Sequence, residues 1–376
     1  MTAIALAGGL AQRPGRGGHA WVFLTWLLGL RGLGCDVVFV DRLEEEWIGG
    51  PVEGSPQAQW LADTMARFGL AGDWALLHDG GRRTLGLGRA ELEERLDASA
   101  LLVNALGYLE DPDLRGRPAR RAYLDLDPGW PQMWAALGLH DGLAGHEAHV
   151  TVGANVGRPG CGVPDCGLEW IAIPPPVLLD EWADGHVRGE GFTSVVTWRG
   201  PNAPVEYGGE RYGVRAHAFR ELVGLPLEVD AEFRLALDID PGDEADRALL
   251  ECNEWRIEDP LAVAGDPDAY RAFVHGSAAE LTVAKDMYVR TRSGWLSDRS
   301  AAYLAAGRPV LAQDTGFPDA PEGGLLRFAT LAEARAGVAE VLRDPAGHGE
   351  AALALARERF AAERVLAGLL DRLGVA

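Results

Sequence analysis

The sequence predicts an α/β protein of two Rossmann-like, doubly wound halves that face each other across a cleft. Three observations carry that expectation. Short apolar runs alternate with longer amphipathic runs along most of the chain, the pattern of parallel strands joined by covering helices. The alternation breaks over 153–191, a stretch rich in Gly, Pro and polar residues that includes Pro174-Pro175-Pro176, through which neither a helix nor a central strand continues. And 376 residues are more than one hydrophobic core usually organises, so two or three domains are expected.

Residues 3–7 form a short apolar run suited to a buried parallel strand. Gly8-Gly9 and the loop with Gly15, Gly17 and Gly18 follow, then a helix from about His19 to Leu33 with Gly34 as its stop. Cys35 to Val40 reads as the next buried strand, which completes a strand–loop–helix–strand unit. Helices are expected near 55–68, 90–97 and 131–137, and strands at 100–104, 121–125 and 148–152. The second series opens with a strand from Phe192 to Trp198. It continues with helices near 213–223, 243–253, 267–274 and 297–306, and strands at 232–239, 279–284 and 309–313. The Ala/Leu/Arg/Glu-rich tail over 330–373 reads as helical. The expected boundaries are 1–188 for the first domain, 189–350 for the second and 351–376 for a C-terminal helical segment, with a hinge near 185–192. Ligands of such sheets bind outside the carboxyl ends of the strands. The loops after 3–7, 123–125 and 192–198, and the one before 297–306, should therefore line one cleft.

Composition narrows the function. Apolar residues are 47% and charged residues 24%, a globular balance. A net charge of −21 argues against a nucleic-acid surface or an anionic membrane as partner. The longest apolar run, Ala20 to Leu30, is too short to span a bilayer, and no signal segment is recognised, so a cytoplasmic protein is expected. Any anion site must then be a local basic spot, for which Arg199, Arg290, Arg292 and Arg299 are candidates. Lys285 is the only lysine among 35 Lys and Arg residues. A compact ammonium is not replaced by arginine in every role; the plain alternative is a residual surface lysine. Of four cysteines, Cys161 and Cys166 share a Gly/Pro loop in which no further ligand pair completes a zinc site; they read as free thiols, with a local disulfide between them as the alternative. No metal site is expected.

The densest motif runs from Arg292 to Gly316: a small-residue loop, a short helix, Gly307-Arg308-Pro309, and an apolar strand. Ser297, Asp298 and Ser300 are N-cap candidates. A helix starting there points free N–H groups and a positive dipole end into the loop, a seat for an anion; an ordinary capped helix is the competing reading. This segment resembles the donor-binding region of GT-B glycosyltransferases. Gly18-His19-Ala20-Trp21, the run from Tyr123 to Gly129, the run from Val156 to Gly167, and Trp198-Arg199-Gly200 extend the resemblance over most of the chain. It implies a nucleotide-sugar donor in the second half, an acceptor in the first, and a last helix, within 347–373, that crosses back to the first half. It implies donor contacts from Trp198, Arg199, Gly200, Lys285, Arg292, Ser293, Gly294, Ser297, Asp298, Arg299 and Ser300, and sugar contacts from Gln313 and Asp314. Many such enzymes place a ribose-binding Glu where this chain has Ala302. Tyr207, Trp255 and Tyr288 are candidates for base stacking, or simply core aromatics.

His19, at the start of the first helix, is the candidate general base, because imidazole titrates near neutral pH. Some inverting GT-B enzymes pair such a His with an Asp about a hundred residues on, which implies Asp125 or Asp127 as partner. Asp125-Leu126-Asp127 also suits a divalent cation, a reading ranked lower here, and one Asp suits a turn cap before Pro128-Gly129. The expected function is metal-independent transfer of a sugar from a nucleotide diphosphate sugar, a co-substrate rather than a cofactor, to a hydroxyl or similar group of a small molecule, such as a natural product, or of a cell-surface precursor. A nucleotide-sugar-binding protein without turnover, or an epimerase or phosphorylase on the same fold, are the alternatives.

Overall fold

A computed structural model describes residues 1–183, 189–200, 202–320 and 323–375. In the first half, β1 (Ala3–Ala7), β2 (Asp36–Arg42), β3 (Trp74–His78), β4 (Arg83–Gly86), β5 (Ser99–Ala105), β6 (Arg121–Asp125), β7 (Ala148–Thr151) and β8 (Trp170–Ala172) form one sheet in the order β4-β3-β2-β1-β5-β6-β7-β8. Its pairings are parallel except for the β3–β4 hairpin at one edge. In the second half come β9 (Phe192–Thr197), a small hairpin of β10 (Val205–Tyr207) and β11 (Glu210–Tyr212), then β12 (Phe233–Asp238), β13 (Trp255–Glu258), β14 (Ala279–Thr282), β15 (Val310–Gln313) and β16 (Leu325–Phe328). Its parallel sheet has the order β13-β12-β9-β14-β15-β16. Strand order reverses between β1 and β5, and again between β9 and β14. Each half therefore leaves a crevice outside the carboxyl ends of its strands.

The local sequence explains these elements. Strands covered on both faces read as unbroken apolar runs, and Ile4, Leu6, Val38 and Phe39 are all buried. Helix Gly17–Gly32 is apolar nearly all round, because it is buried on more than one side. It lies on its own sheet, its Gly29 faces Leu366 and Ala362 of helix Ala362–Leu373, and its Trp21 indole donates to the Pro267 carbonyl of the second half at 2.9 Å. The crossing of the last helix onto the first half is as expected. The tail is not one continuous helix, however. Asp344 caps helix Pro345–Leu355 through the Gly347 N–H, and extended Ala361 pairs with Val177 before Ala362–Leu373 begins. Of the hinge expected near 185–192, residues 185–188 lie outside the described residues. Cys161 and Cys166 are both free. Among the described residues no helix is long and apolar enough to cross a membrane.

The halves meet closely at the start of the first long helix. A Cβ on Gly17 would stand 2.1 Å from the Asp266 carbonyl oxygen, a backbone atom that no rotamer change can move. Gly17→Ala is expected to destabilise the protein by about 1–3 kcal/mol through this overpacking. A denaturant melt of the variant with an unshifted midpoint would contradict the close seam.

Candidate functional site

The two crevices merge into one cavity of about 390 Å³. The first half contributes Arg13, Arg16 and His19 after β1, Tyr108 after β5 and Asp127 after β6. The second half contributes Thr197 and Gly200 at the end of β9, Asp238 at the end of β12, Arg215, Lys285, and the segment from Trp295 to Arg299. The four loops expected to line a common cleft do so.

Asp127 reaches the cavity because Asp125 shapes the turn before it. Asp125 is fully buried. Its carboxylate accepts the Thr151 hydroxyl at 2.7 Å, the Gln132 amide at 2.7 Å and the Asp127 N–H at 2.9 Å. Desolvation raises its pKa to about 6 against those hydrogen bonds, which lower it. Gln132 also accepts the Gly129 N–H at 2.7 Å, which closes the turn. Asp127 then faces Lys285, whose ammonium donates to both carboxylate oxygens at 2.7 and 2.9 Å. Asn202 donates to Asp127 at 3.0 Å, and so does the Tyr288 hydroxyl. The ammonium also lies 4.6 Å from the Trp130 ring centre and 5.2 Å from that of Tyr288, within cation–π range. Burial lowers the Lys285 pKa, and Asp127 opposes the shift.

Arg215 opens helix Arg215–Glu221 and is 8% exposed. Its guanidinium donates to the carbonyls of Val283 at 2.9 Å and Thr197 at 3.0 Å, and among the described residues it has no carboxylate partner. Desolvation lowers its pKa to about 10, and Arg299 nearby adds to the effect. An arginine on the cavity wall whose only partners are carbonyls keeps its full charge for an anionic ligand.

His19 bonds the Gly9 carbonyl through Nε2 at 2.9 Å. A carbonyl only accepts, so Nε2 carries the hydrogen and Nδ1 is the basic atom. Desolvation lowers its pKa to about 4, with Arg13 and Arg16 lowering it further and the Gly9 bond opposing. The ring is therefore neutral at physiological pH. The expected aspartate partner is not there: Asp125 is spent on its turn and Asp127 on Lys285. Asp298, first residue of helix Asp298–Ala305, remains open to the cavity, though surrounding protein desolvates its carboxyl and raises its pKa.

The expected donor set divides. Gly200, Lys285, Ser297, Asp298 and Arg299 line the cavity. Ser297 caps its helix through the Arg299 N–H. Arg299 carries no spare charge, since it pairs with buried Glu280 and donates to the Val195 carbonyl and Thr282 hydroxyl. The others lie elsewhere. Trp198 is core, its indole bonded to Asp246 at 2.8 Å. Arg199 turns outward to Asp243. Arg292 is held at the surface near Asp314, and Arg290 by Glu210. Ser293 and Gly294 belong to the seam between the halves. There Asn155 bonds the Arg292 and Gly316 carbonyls at 2.9 Å each, its N–H bonds the Ser293 carbonyl at 3.0 Å, and a Cβ on Gly294 would stand 2.9 Å from the Asn155 nitrogen. Ser300 is fully buried. Gln313 accepts the Ala284 N–H at 3.1 Å, and Asp314 accepts the Gly316 N–H at 2.8 Å and faces Arg327; neither lines the cavity. Of the aromatics, Tyr288 lines it and Trp255 is core.

Arg215 was missed by sequence reasoning. Arginine is too common here for one to stand out. The usable signal was position: it starts the helix that follows the first strand of the second half, where such sheets bind ligands.

The fold and cavity together define a class: a pair of doubly wound α/β domains with one ligand cleft between their strand ends. Solved structures make the class more specific. The chain matches a mutant of TarM from S. aureus bound to fondaparinux, alpha-GlcNAc-glycerol and UDP, with TM-score 0.61, 8% identity and 99% of each chain covered. It matches an alpha-glucosyltransferase in complex with UDP and mismatched DNA, with TM-score 0.60, 8% identity and 100% of each chain covered. It matches HepE of Anabaena in complex with UDP, with TM-score 0.57, 12% identity and 100% of each chain covered. The chain has the GT-B glycosyltransferase fold. No protein family and no curated protein matches the sequence.

The low pKa of His19 has a pH signature. The unfolded histidine titrates near 6.5 and the folded one at about 4, so the unfolded state takes up the proton first as pH falls. The stability this neutral ring contributes is complete above pH 6.5 and lost as pH falls towards 4. Against His19→Gln, whose amide can also donate to Gly9, the wild type should lose stability across that window and track the variant from pH 7 to 9. Parallel curves down to pH 4 would refute the shift.

Proposed function

We propose that this chain is a metal-independent glycosyltransferase that moves a sugar from a nucleotide diphosphate sugar to a hydroxyl of a small-molecule acceptor. The observation that carries the reading is the Arg215–Lys285 pair. It places two cationic side chains in an interdomain cavity of a protein whose net charge is −21. The Arg215 fork and the Lys285 ammonium suit a diphosphate, and the start of helix Asp298–Ala305 adds a dipole end. Asp298, open to the cavity at the position of the missing ribose acid's preceding turn, is the acceptor group we assign to donor hydroxyls. The apolar wall of Val22, Trp26 and Leu296 suits an apolar acceptor scaffold of natural-product type, and a cavity of this size is that of a small-ligand site. Metal independence is proposed because Asp125 is buried in its turn and Asp127 is surrounded by donors, which leaves the Asp-x-Asp pair unsuited to a cation.

In the proposed reaction the acceptor hydroxyl attacks the anomeric carbon as its bond to the diphosphate oxygen breaks. His19 Nδ1 takes the hydroxyl proton, and Arg215 and Lys285 stabilise the negative charge that gathers on the leaving diphosphate. Single displacement inverts the anomeric centre.

A thermal-shift series with UDP, GDP, dTDP, CDP and ADP, and NAD as control, should show stabilisation by at least one diphosphate and none by NAD. Arg215→Ala should weaken that diphosphate by about 30-fold or more, the cost of losing one partner of a desolvated charged pair. No shift with any diphosphate would remove the basis of the reading.

His19→Ala should lower kcat by about 10²–10⁴-fold with diphosphate binding unchanged. Equal turnover in the variant would end the base assignment. Diphosphate binding with no transfer product from any acceptor would favour a binding protein instead.

A further inference from the structure

Resting on the donor reading above, we propose that Asp127 is an internal occupant of the anion site: its carboxylate holds Lys285 until a donor diphosphate takes the ammonium over, so the donor binds by competing with the protein's own anion. Asp127 is a positioning residue in this account, and neither the base nor the partner of the base.

The geometry is specific. Asp127 comes from the first half, and its side-chain partners among the described residues, Lys285, Tyr288 and Asn202, come from the second. Lys285 by itself reaches both oxygens, at 2.7 and 2.9 Å. A carboxylate held in this way presents to the ammonium the same paired oxygens that a phosphate would. Lys285 is nearly enclosed, with its side chain 11% exposed, and it rests on Trp130 and Tyr288. A buried ammonium left without an anion is costly, and Asp127 is the carboxylate that meets this one. Arg215 differs. Its carbonyl partners carry no net charge, so it is ready for a ligand without giving up an ion pair. The site thus holds Arg215, buried among carbonyls with no carboxylate partner among the described residues, beside Lys285, which must be won from Asp127. Asn202 does not line the cavity and holds Asp127 from behind.

The test uses the full chain with UDP and with inorganic pyrophosphate as probes. Binding is measured by calorimetry, and the single lysine is followed by NMR of protein labelled with 13Cε-lysine. Asp127→Asn keeps shape and removes the competing charge, and it should tighten both probes by about tenfold. Asn202→Ala leaves the charge but loosens it, and should tighten both by about two- to threefold. The lysine resonance of ligand-free Asp127→Asn should already be displaced from that of the wild type. In the wild type it should move on titration with either probe. If binding in both variants is unchanged or weaker while the wild type binds, Asp127 helps rather than competes and the proposal fails. If Asp127→Asn does not fold, Asn202→Ala decides alone. If neither probe binds wild type or variants, and the lysine resonance does not move, it is the donor reading that fails, and this proposal falls with it.

Discussion

A guanidinium buried without a carboxylate is the constraint around which the second half is arranged. Arg215 is tolerated at 8% exposure because carbonyls just beyond and at the ends of β14 and β9 turn towards it. Parallel strands deliver free carbonyls at their carboxyl edge, so the strand order that brings β9 beside β14 supplies both partners in one place. The helix that carries Arg215 is short, and its first residue is the one that matters. Were the strand order different, the same arginine would face desolvation with no compensating dipoles.

The seam between the halves serves the same cavity. Asn155 and Gly162 of the first half bond the backbone around Thr291 to Ser293, so the loop before helix Asp298–Ala305 is held by protein rather than ligand. That fixes where the helix begins and how its first turn faces the cleft. Gly294 allows the two backbones to approach, and Gly17 does so at a second place, against Asp266.

Much of this was legible in sequence, for physical reasons that differ by element. β1, β2, β5, β6, β9, β12, β14 and β15 are buried on both faces, so their apolar runs are long enough to read. β8, β13 and β16 are short and only partly buried, and the β10–β11 hairpin is mostly polar; none carries a period that stands above its surroundings. In the site, His19, Asp127 and Asp298 were legible because position along a βα unit predicts what faces the crevice, and Lys285 because it is the only lysine of the chain. Arg199, Arg292, Gln313 and Asp314 lie in sequence beside elements that do face it, but their side chains turn the other way. One residue of register or one turn of helix separates the two outcomes, and sequence position does not resolve that.

Pairing, rather than the presence of basic residues, decides where this acidic protein can hold an anion. Arg199, Arg290 and Arg299 sit near the crevice in sequence, yet each has its own carboxylate, in Asp243, Glu210 and Glu280. With 56 acidic residues against 35 basic ones, an arginine placed at random meets a carboxylate readily, and a cation that has none must be kept apart by its surroundings. Arg215 is kept apart by burial among backbone carbonyls. Lys285 is not kept apart, and the carboxylate it meets belongs to the opposite half of the molecule. A charge pair across a cleft joins the state of the halves to the state of the ligand, because whatever displaces one partner also releases the other.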